Sequence, residues 1–179
     1  MRKSGWLLVT VSSAALLTAA AVQGVAVAST GHRAADHEAS SVLRFHTMAP
    51  VTGPYVGTAN PLRAIPGGGL PWIIRSARGS LDSTGHLVVR VRGLVLADQT
   101  PVPVALQGTN PLPDFRAVVS CQSIGPGDSA TIVNVATGDF VANSAGDSTI
   151  SASVNLPSPC IAPIVFVTGP GFWLAATGG

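Results

Sequence analysis

"HLVVRVRGLVL", residues 86–96, decides how this chain folds. Leu87, Val89 and Val91 fall on one face of an extended segment, and Val88, Arg90 and Arg92 on the other. A period of two in β-branched residues is the pattern of a half-buried strand. Just upstream, "WIIRSARGSL", residues 72–81, forms a second such run, and only Asp82-Ser83-Thr84-Gly85 separates the two. Two strand-like runs around a short Asp/Ser/Gly loop predict a β-hairpin.

The same loop, read as "LDSTGHL" over residues 81–87, places Asp82, Ser83 and His86 within five positions. These are the residue types of a hydrolytic triad. A triad needs side chains converging through tertiary structure beside an oxyanion site, whereas neighbours on one hairpin loop splay outward. Asp82 and Ser83 are better suited to accept local backbone N–H groups, with Gly85 at positive φ. The G-x-S-x-G nucleophile elbow is also absent from the sequence.

Outward from the hairpin, the chain keeps the same rhythm. "SVLRFHT" (41–47) sets Val42, Arg44 and His46 against Leu43, Phe45 and Thr47, the second set facing inward. In "FRAVVSC" (115–121), Phe115, Ala117, Val119 and Cys121 share a face, so Cys121 points inward. "ATIVNV" and "GDFVA" follow. "DSTISASVNL" then aligns Ser148, Ile150, Ala152, Val154 and Leu156. "IAPIVFV" is nearly continuously apolar, as a strand buried on both faces would be, and "GFWLAAT" ends the pattern. No segment shows a sustained 3.6-residue period with helix caps. The expectation is an all-β domain over residues 42–179: a single β-sandwich, immunoglobulin-like or jelly-roll-like, of about eight or nine short strands.

Two Pro-rich connections interrupt these runs. Residues 97–114 carry "GTNPL", an echo of "GTANPL" at 57–62, which shared Asn-Pro turn vocabulary explains. The longer one, Met48 to Pro71, is too dense in Gly and Pro for a long helix or a central strand. Connections of this length are often functional. Tyr55, Arg63 and Trp72 are its candidate ligand-binding residues: a planar fork for carboxylate or phosphate, and two aromatic faces. The competing reading is a structural plug over an open end of the sandwich, burying Tyr55, Ile65 and Trp72. Gly67-Gly68-Gly69 is not a phosphate cradle, because no Gly-Lys-Ser/Thr opens a helix after it.

The N-terminus speaks to location. Arg2 and Lys3 precede an apolar, small-residue stretch ending in Ala26-Val27-Ala28. That order predicts a signal peptide over residues 1–28, cleaved before Ser29. An uncleaved anchor is the rival, since the apolar run is nearly long enough to span a bilayer. The A-x-A site and small-residue tail favour cleavage. Residues 29–41 read as a flexible arm, and no second apolar span follows. The expected location is therefore secreted or extracellular, with envelope association as a further option, and no integral span after cleavage.

Past residue 28 the chain holds eight arginines, no lysine and eight acids. That balance argues against nucleic acid as a partner, which needs clustered positive charge. Charged residues are 10% of the chain, against about a quarter in ordinary domains. The surface must therefore be built largely from small and hydroxyl residues, as the Ala/Gly/Pro/Val/Arg bias of a high-GC bacterial genome would give. In an exported chain, Cys121 and Cys160 read as one disulfide. Closing a loop of about 40 residues contributes roughly 4 kcal/mol in the chain-entropy model.

Sites for chemistry are sparse. His32 and His37 lie five apart in the arm, the wrong spacing for a helical metal pair. Cleavage one residue later would leave Thr30-Gly31-His32, a Cu(II)-type terminus. Asp128, Asp139 and Asp147 sit beside glycines as turn residues, without a D-x-D-x-D-G calcium loop. No cofactor, metal or catalytic residue is assigned. "GPYVGTANPLRAIPGGGLPW", "GHLVVRVRGLVL" and "FRAVVSC" together resemble a group of uncharacterised bacterial proteins, many exported, over about residues 43–179. That group has no assigned activity, so the resemblance implies a compact domain and no site. The favoured function is a non-enzymatic extracellular or envelope-associated binding or structural protein of unknown ligand. The alternative is an extracellular hydrolase with a dispersed site drawing on residues such as His46, His86, Asp98 and Asp114.

Overall fold

A computed structural model describes residues 39–178. The signal segment, the His32/His37 pair and residues 29–38 of the arm lie outside the described residues. The strands, in chain order, are β1 (Ser41–Phe45), β2 (Ala49–Pro50), β3 (Trp72–Ile73), β4 (Ser76–Asp82), β5 (His86–Arg92), β6 (Val95–Leu96), β7 (Asp114–Ile124), β8 (Ala130–Ala136), β9 (Phe140–Val141), β10 (Ser148–Ser153), β11 (Ile161–Gly169) and β12 (Phe172–Ala176). Eight of the twelve run five residues or more, and the other four are two-residue pairings. Helical content among the described residues is three 3-10 turns, and none of it is long and apolar enough to cross a membrane.

The strands form an all-β sandwich. One sheet has the order β1-β4-β5-β10, and the other runs β2-β12-β11-β7-β8, with β9 added beside the start of β7. Every pairing between these strands is antiparallel. Side chains of both sheets meet in one core: Leu81, Leu87, Val89, Val91 and Ile150 from the first, Phe115, Val119, Cys121, Val165 and Val167 from the second. Each of these ten is fully buried. The period of two puts them there, because each strand's inward set is apolar and its outward set is not. Thr47 departs from its expected inward place. It lies exposed beyond the end of β1, where the alternation no longer applies. Ser41, expected in the arm, pairs with Asp82 as the first residue of β1.

The β4–β5 hairpin closes on a turn built as its residue types dictate. Asp82 Oδ1 accepts the Thr84 N–H at 2.9 Å, the Thr84 hydroxyl at 2.6 Å and the His86 N–H at 3.0 Å. The Thr84 hydroxyl is the chief cause of a carboxyl held below its ordinary pKa. Gly85 has φ of 84°, and a Cβ there would stand 1.9 Å from the Val154 carbonyl oxygen. Ser83 Oγ accepts the Ser40 N–H. Asp82 thus takes the local role expected of it, whereas Ser83 departs from it: its partner is 43 residues away, where the chain entering β1 runs beside the turn.

The two long runs flanking this turn each break once. "WIIRSARGSL" divides into β3 and β4, and "HLVVRVRGLVL" into β5 and β6. The break in the second run falls at Gly93, at φ of 64°, where left-handed backbone costs no Cβ clash. Asp147 fastens this kink by accepting the Gly93 N–H at 3.0 Å. Pairing resumes beyond it, Trp72 opposite Leu96 and Ile73 opposite Val95. The hairpin ladder therefore bends out of the four-stranded sheet instead of ending.

The Met48–Pro71 connection is more ordered than its composition suggests. Pro50 joins β2 at the sheet edge, where a missing N–H is tolerated. Gly68 N–H donates to the Trp173 carbonyl at 2.9 Å, and Trp173 N–H to the Pro66 carbonyl at 2.9 Å. Leu62 and Ile65 exchange both backbone bonds at 2.9 Å across Arg63 and Ala64, at φ of 52° and 64°. That is the hand of a type I′ turn, made without its usual Asn-Gly. The segment lies against the face of the six-stranded sheet that points away from the core: Asn134 Nδ2 donates to the Arg63 carbonyl at 3.0 Å, and the Tyr55 ring sits 6.3 Å from that of Trp173. Phe166 and Ser120 on this face are accordingly fully buried.

The disulfide joins Cys121 of β7 to Cys160, one residue ahead of β11. Both Asn residues of the "NPL" echoes act as loop organisers. Asn60 Nδ2 donates to the Pro54 carbonyl, and Asn110 Nδ2 to the carbonyls of Leu112 and Asn143.

A candidate anion-binding face

The outward set of the four-stranded sheet carries four of the seven described arginines. Arg44 stands on β1, Arg78 on β4, and Arg90 and Arg92 on β5, all exposed. The register brings them together. Arg78 is directly opposite Arg90, Ser76 opposite Arg92, and Ser80 opposite both Arg44 and Val88. Two hollows of about 340 and 260 Å³ share His46, Arg78 and Arg90. The first also takes in Arg44, Ser80 and Val88, the second Ser76 and Arg92. Among the described residues, no carboxylate lines either hollow. The groove thus runs along β4 between cationic walls.

Among the described residues, acids stand only at its two ends. Asp82 closes the hairpin end, where it holds the turn already described. At the other end Asp147 lies 3.2 Å from Arg92 Nη1 and 3.8 Å from Arg75 Nη2. The Gly93 N–H, and after it the guanidinium groups of Arg92 and Arg75, hold the Asp147 carboxyl below its ordinary pKa. Among the described residues, Arg44, Arg78 and Arg90 make no ion pair. Like charges directly opposite each other on neighbouring strands are destabilising, so the Arg78–Arg90 pair works against the fold.

β10 extends this face with hydroxyls. Thr149 stands opposite Arg90, Ser151 opposite Val88 and Ser153 opposite His86, and all three are exposed. Of the described rings lining the groove, Phe45 is 6% exposed and His46 is exposed. The chemistry offered is therefore arginine forks beside rows of hydroxyls, with a single imidazole and no row of stacking rings.

A third concavity lies on the opposite side of the molecule, where Ala64, Ile65 and Pro66 overhang Val118, Ala136 and Phe172 in a cleft of about 320 Å³. Its one cation, Arg116, is forked onto Asp139, with Nη2 to Oδ2 at 2.8 Å. That pairing leaves the cleft largely apolar and without free charge.

Of the three candidate residues of the Met48–Pro71 segment, Tyr55 is 46% exposed and packs on Trp173, while Trp72 is 3% exposed in the core. Arg63 Nη2 donates to the Ala162 carbonyl at 3.1 Å. None of the three lines the clefts described above. The residues weighed for a hydrolase are also dispersed. His46 faces Arg78 and Arg90, Asp114 borders a small hollow beside Arg116, and Asp98 is exposed in a loop. Among the described residues no histidine ring hydrogen-bonds a carboxylate or a serine. The arginine groove was missed from sequence, although its parts were legible as outward-facing Arg44, His46, Arg90 and Arg92.

The Asp147 clamp makes a prediction. A carboxylate with a depressed folded pKa stabilises the fold above its unfolded value, about 3.9, and loses that contribution as pH falls through the folded value. Wild type should melt higher than Asp147→Asn near neutrality, and the gap should close as pH drops below about 3.9. Thermal melts across the acid range measure it, and a gap independent of pH would disprove the linkage. Comparison with protein-family models, with curated proteins and with solved structures returned no match to this chain.

Proposed function

We propose that this is an exported, non-enzymatic binding protein that holds an anionic ligand on the arginine-bearing face of its four-stranded sheet. The observation that carries this reading is the concentration of Arg44, Arg78, Arg90 and Arg92 around one groove with, among the described residues, no carboxylate between them. In a chain so poor in charge, a merely solvated sheet face could be covered by Ser and Thr, as β10 is. Like charges kept at close quarters disfavour the free protein and favour one carrying a counter-charge. The signal-like N-terminus and the disulfide support export. In this reading the Met48–Pro71 segment is the cover of the six-stranded sheet, and Arg63 ties it down.

Full-length protein should be retained on a sulfonate cation-exchange resin at low salt despite its small net charge, and released as salt screens the contact. Arg78→Ala with Arg90→Ala should abolish retention. The same double variant should melt no lower than wild type, and by relieving repulsion should gain up to about 1 kcal/mol. Unchanged retention, or a clear loss of stability, would assign these arginines a structural role instead.

A further inference from the structure

Resting on that reading, we infer that the ligand is a linear acidic polysaccharide, whose repeated carboxylates or sulfates lie along the groove over β4. The arginines do not converge on a point. Same-face residues two apart on a strand are separated by about 6.6 Å, and neighbouring strands by about 4.8 Å. Arg44 and Arg92 stand two strands apart and four residues offset by register, which places their backbones about 16 Å from each other. One sulfate or one sugar carboxylate held by the directly opposed Arg78 and Arg90 leaves Arg44 and Arg92, at the two ends, without an anion. A chain with an anion on successive units can, and each guanidinium offers a planar fork to a carboxylate or sulfate.

The rest of the face selects among polyanions. Ser76 and Ser80 stand between the arginines on β4, and Thr149, Ser151 and Ser153 form a parallel row on β10. Such hydroxyls can exchange hydrogen bonds with the hydroxyls of sugar rings. A single-stranded nucleic acid would instead call for a row of exposed aromatic side chains on which successive bases stack, and among the described residues the groove offers one exposed ring, His46, with Phe45 buried. Charge and hydroxyl pattern together therefore favour a glycan over a nucleic acid of equal charge.

The test titrates full-length protein calorimetrically with galacturonic acid, its linear oligomers up to the hexamer, a sulfated hexasaccharide and oligo(dT) of matched charge. Affinity should rise at least about tenfold from monomer to hexamer, because linked contacts act at high effective concentration. The stronger of the carboxylated and sulfated arms identifies which anion the glycan carries. Arg44→Ala and Arg92→Ala, at opposite ends, should each remove most of that length dependence. Ser151→Ala with Thr149→Val should weaken hexamer binding several-fold while leaving retention on the sulfonate resin intact. Equal affinity for monomer and hexamer would overturn the extended ligand while sparing anion binding itself. Oligo(dT) binding as tightly as the better hexasaccharide would overturn the glycan assignment. Failure to bind any of these anions, or the resin, would overturn the underlying reading as well.

Discussion

Replacing Trp72 by alanine should destabilise the protein by about 3–5 kcal/mol, the usual cost of deleting a buried aromatic. Its indole is 3% exposed, and its backbone holds two parts of the fold together. Trp72 N–H donates to the Val51 carbonyl at 2.9 Å, and Trp72 pairs with Leu96 across β3 and β6. Gly68 lies so close that a Cβ there would come 3.2 Å from the indole nitrogen. The alanine variant would leave a cavity beneath the Gly-rich segment that backbone already hydrogen-bonded to Trp173 cannot collapse to fill. Tyr55→Ala offers the contrast. Tyr55 is 46% exposed, so its loss should cost less than half as much. Chemical denaturation of the two variants beside wild type measures both values. Equal losses would mean that the segment covers the sheet through Tyr55 as much as through Trp72.

Removing the Cys121–Cys160 bond should be of similar size. The two residues are 39 apart in sequence, and a closed loop of that length contributes roughly 4 kcal/mol by restricting the unfolded chain. The bond also ties the middle of β7 to the chain just before β11, next to a register shift between Ile161 and Ile164. The variant Cys121→Ala with Cys160→Ala should therefore unfold at markedly lower urea than the oxidised protein, and a reductant should shift wild type to the same midpoint. Cys121 is fully buried in the core, so alanine there adds a small packing loss. A midpoint insensitive to reductant, together with two thiols that alkylate once the protein is unfolded without reductant, would show that the bond does not form.

Some parts of this architecture are local, and local rules read them correctly. The Asp82–Gly85 turn is one. Aspartate, threonine and glycine within four residues satisfy the hairpin's own backbone, and no distant partner is needed to make them do so. The facing of each strand is another. Leu87, Val89 and Val91 are buried because successive side chains point to opposite sides of any strand, whichever strand lies next to it. The inward Cys121 follows from the same geometry, whereas the two-sided burial of β11 from Val165 onward, which the continuously apolar run announced, also needs the Met48–Pro71 segment over its second face.

Other parts depend on partners that sequence order does not name. The turn at Arg63–Ala64 carries no glycine or asparagine. It holds its left-handed backbone because Asn134 and Ala162, 71 and 99 residues away, bond to Arg63. The break at Gly93 is set by Asp147, more than fifty residues downstream. Most consequential is the arginine groove. Arg44, Arg90 and Arg92 are each legible as outward-facing, and a summed charge near zero argues that nothing is gathered. Summation is blind to position. Only the sheet order β1-β4-β5 sets three outward faces side by side and brings Arg78 opposite Arg90, while Asp82, Asp147 and Asp139 are sent to the hairpin turn, to the Gly93 kink and to Arg116 on the other side of the molecule. Alternation along a strand is a property of the backbone alone, so one strand suffices to show it. Adjacency between strands is chosen by the whole core at once, and the shape of the charge belongs to that choice.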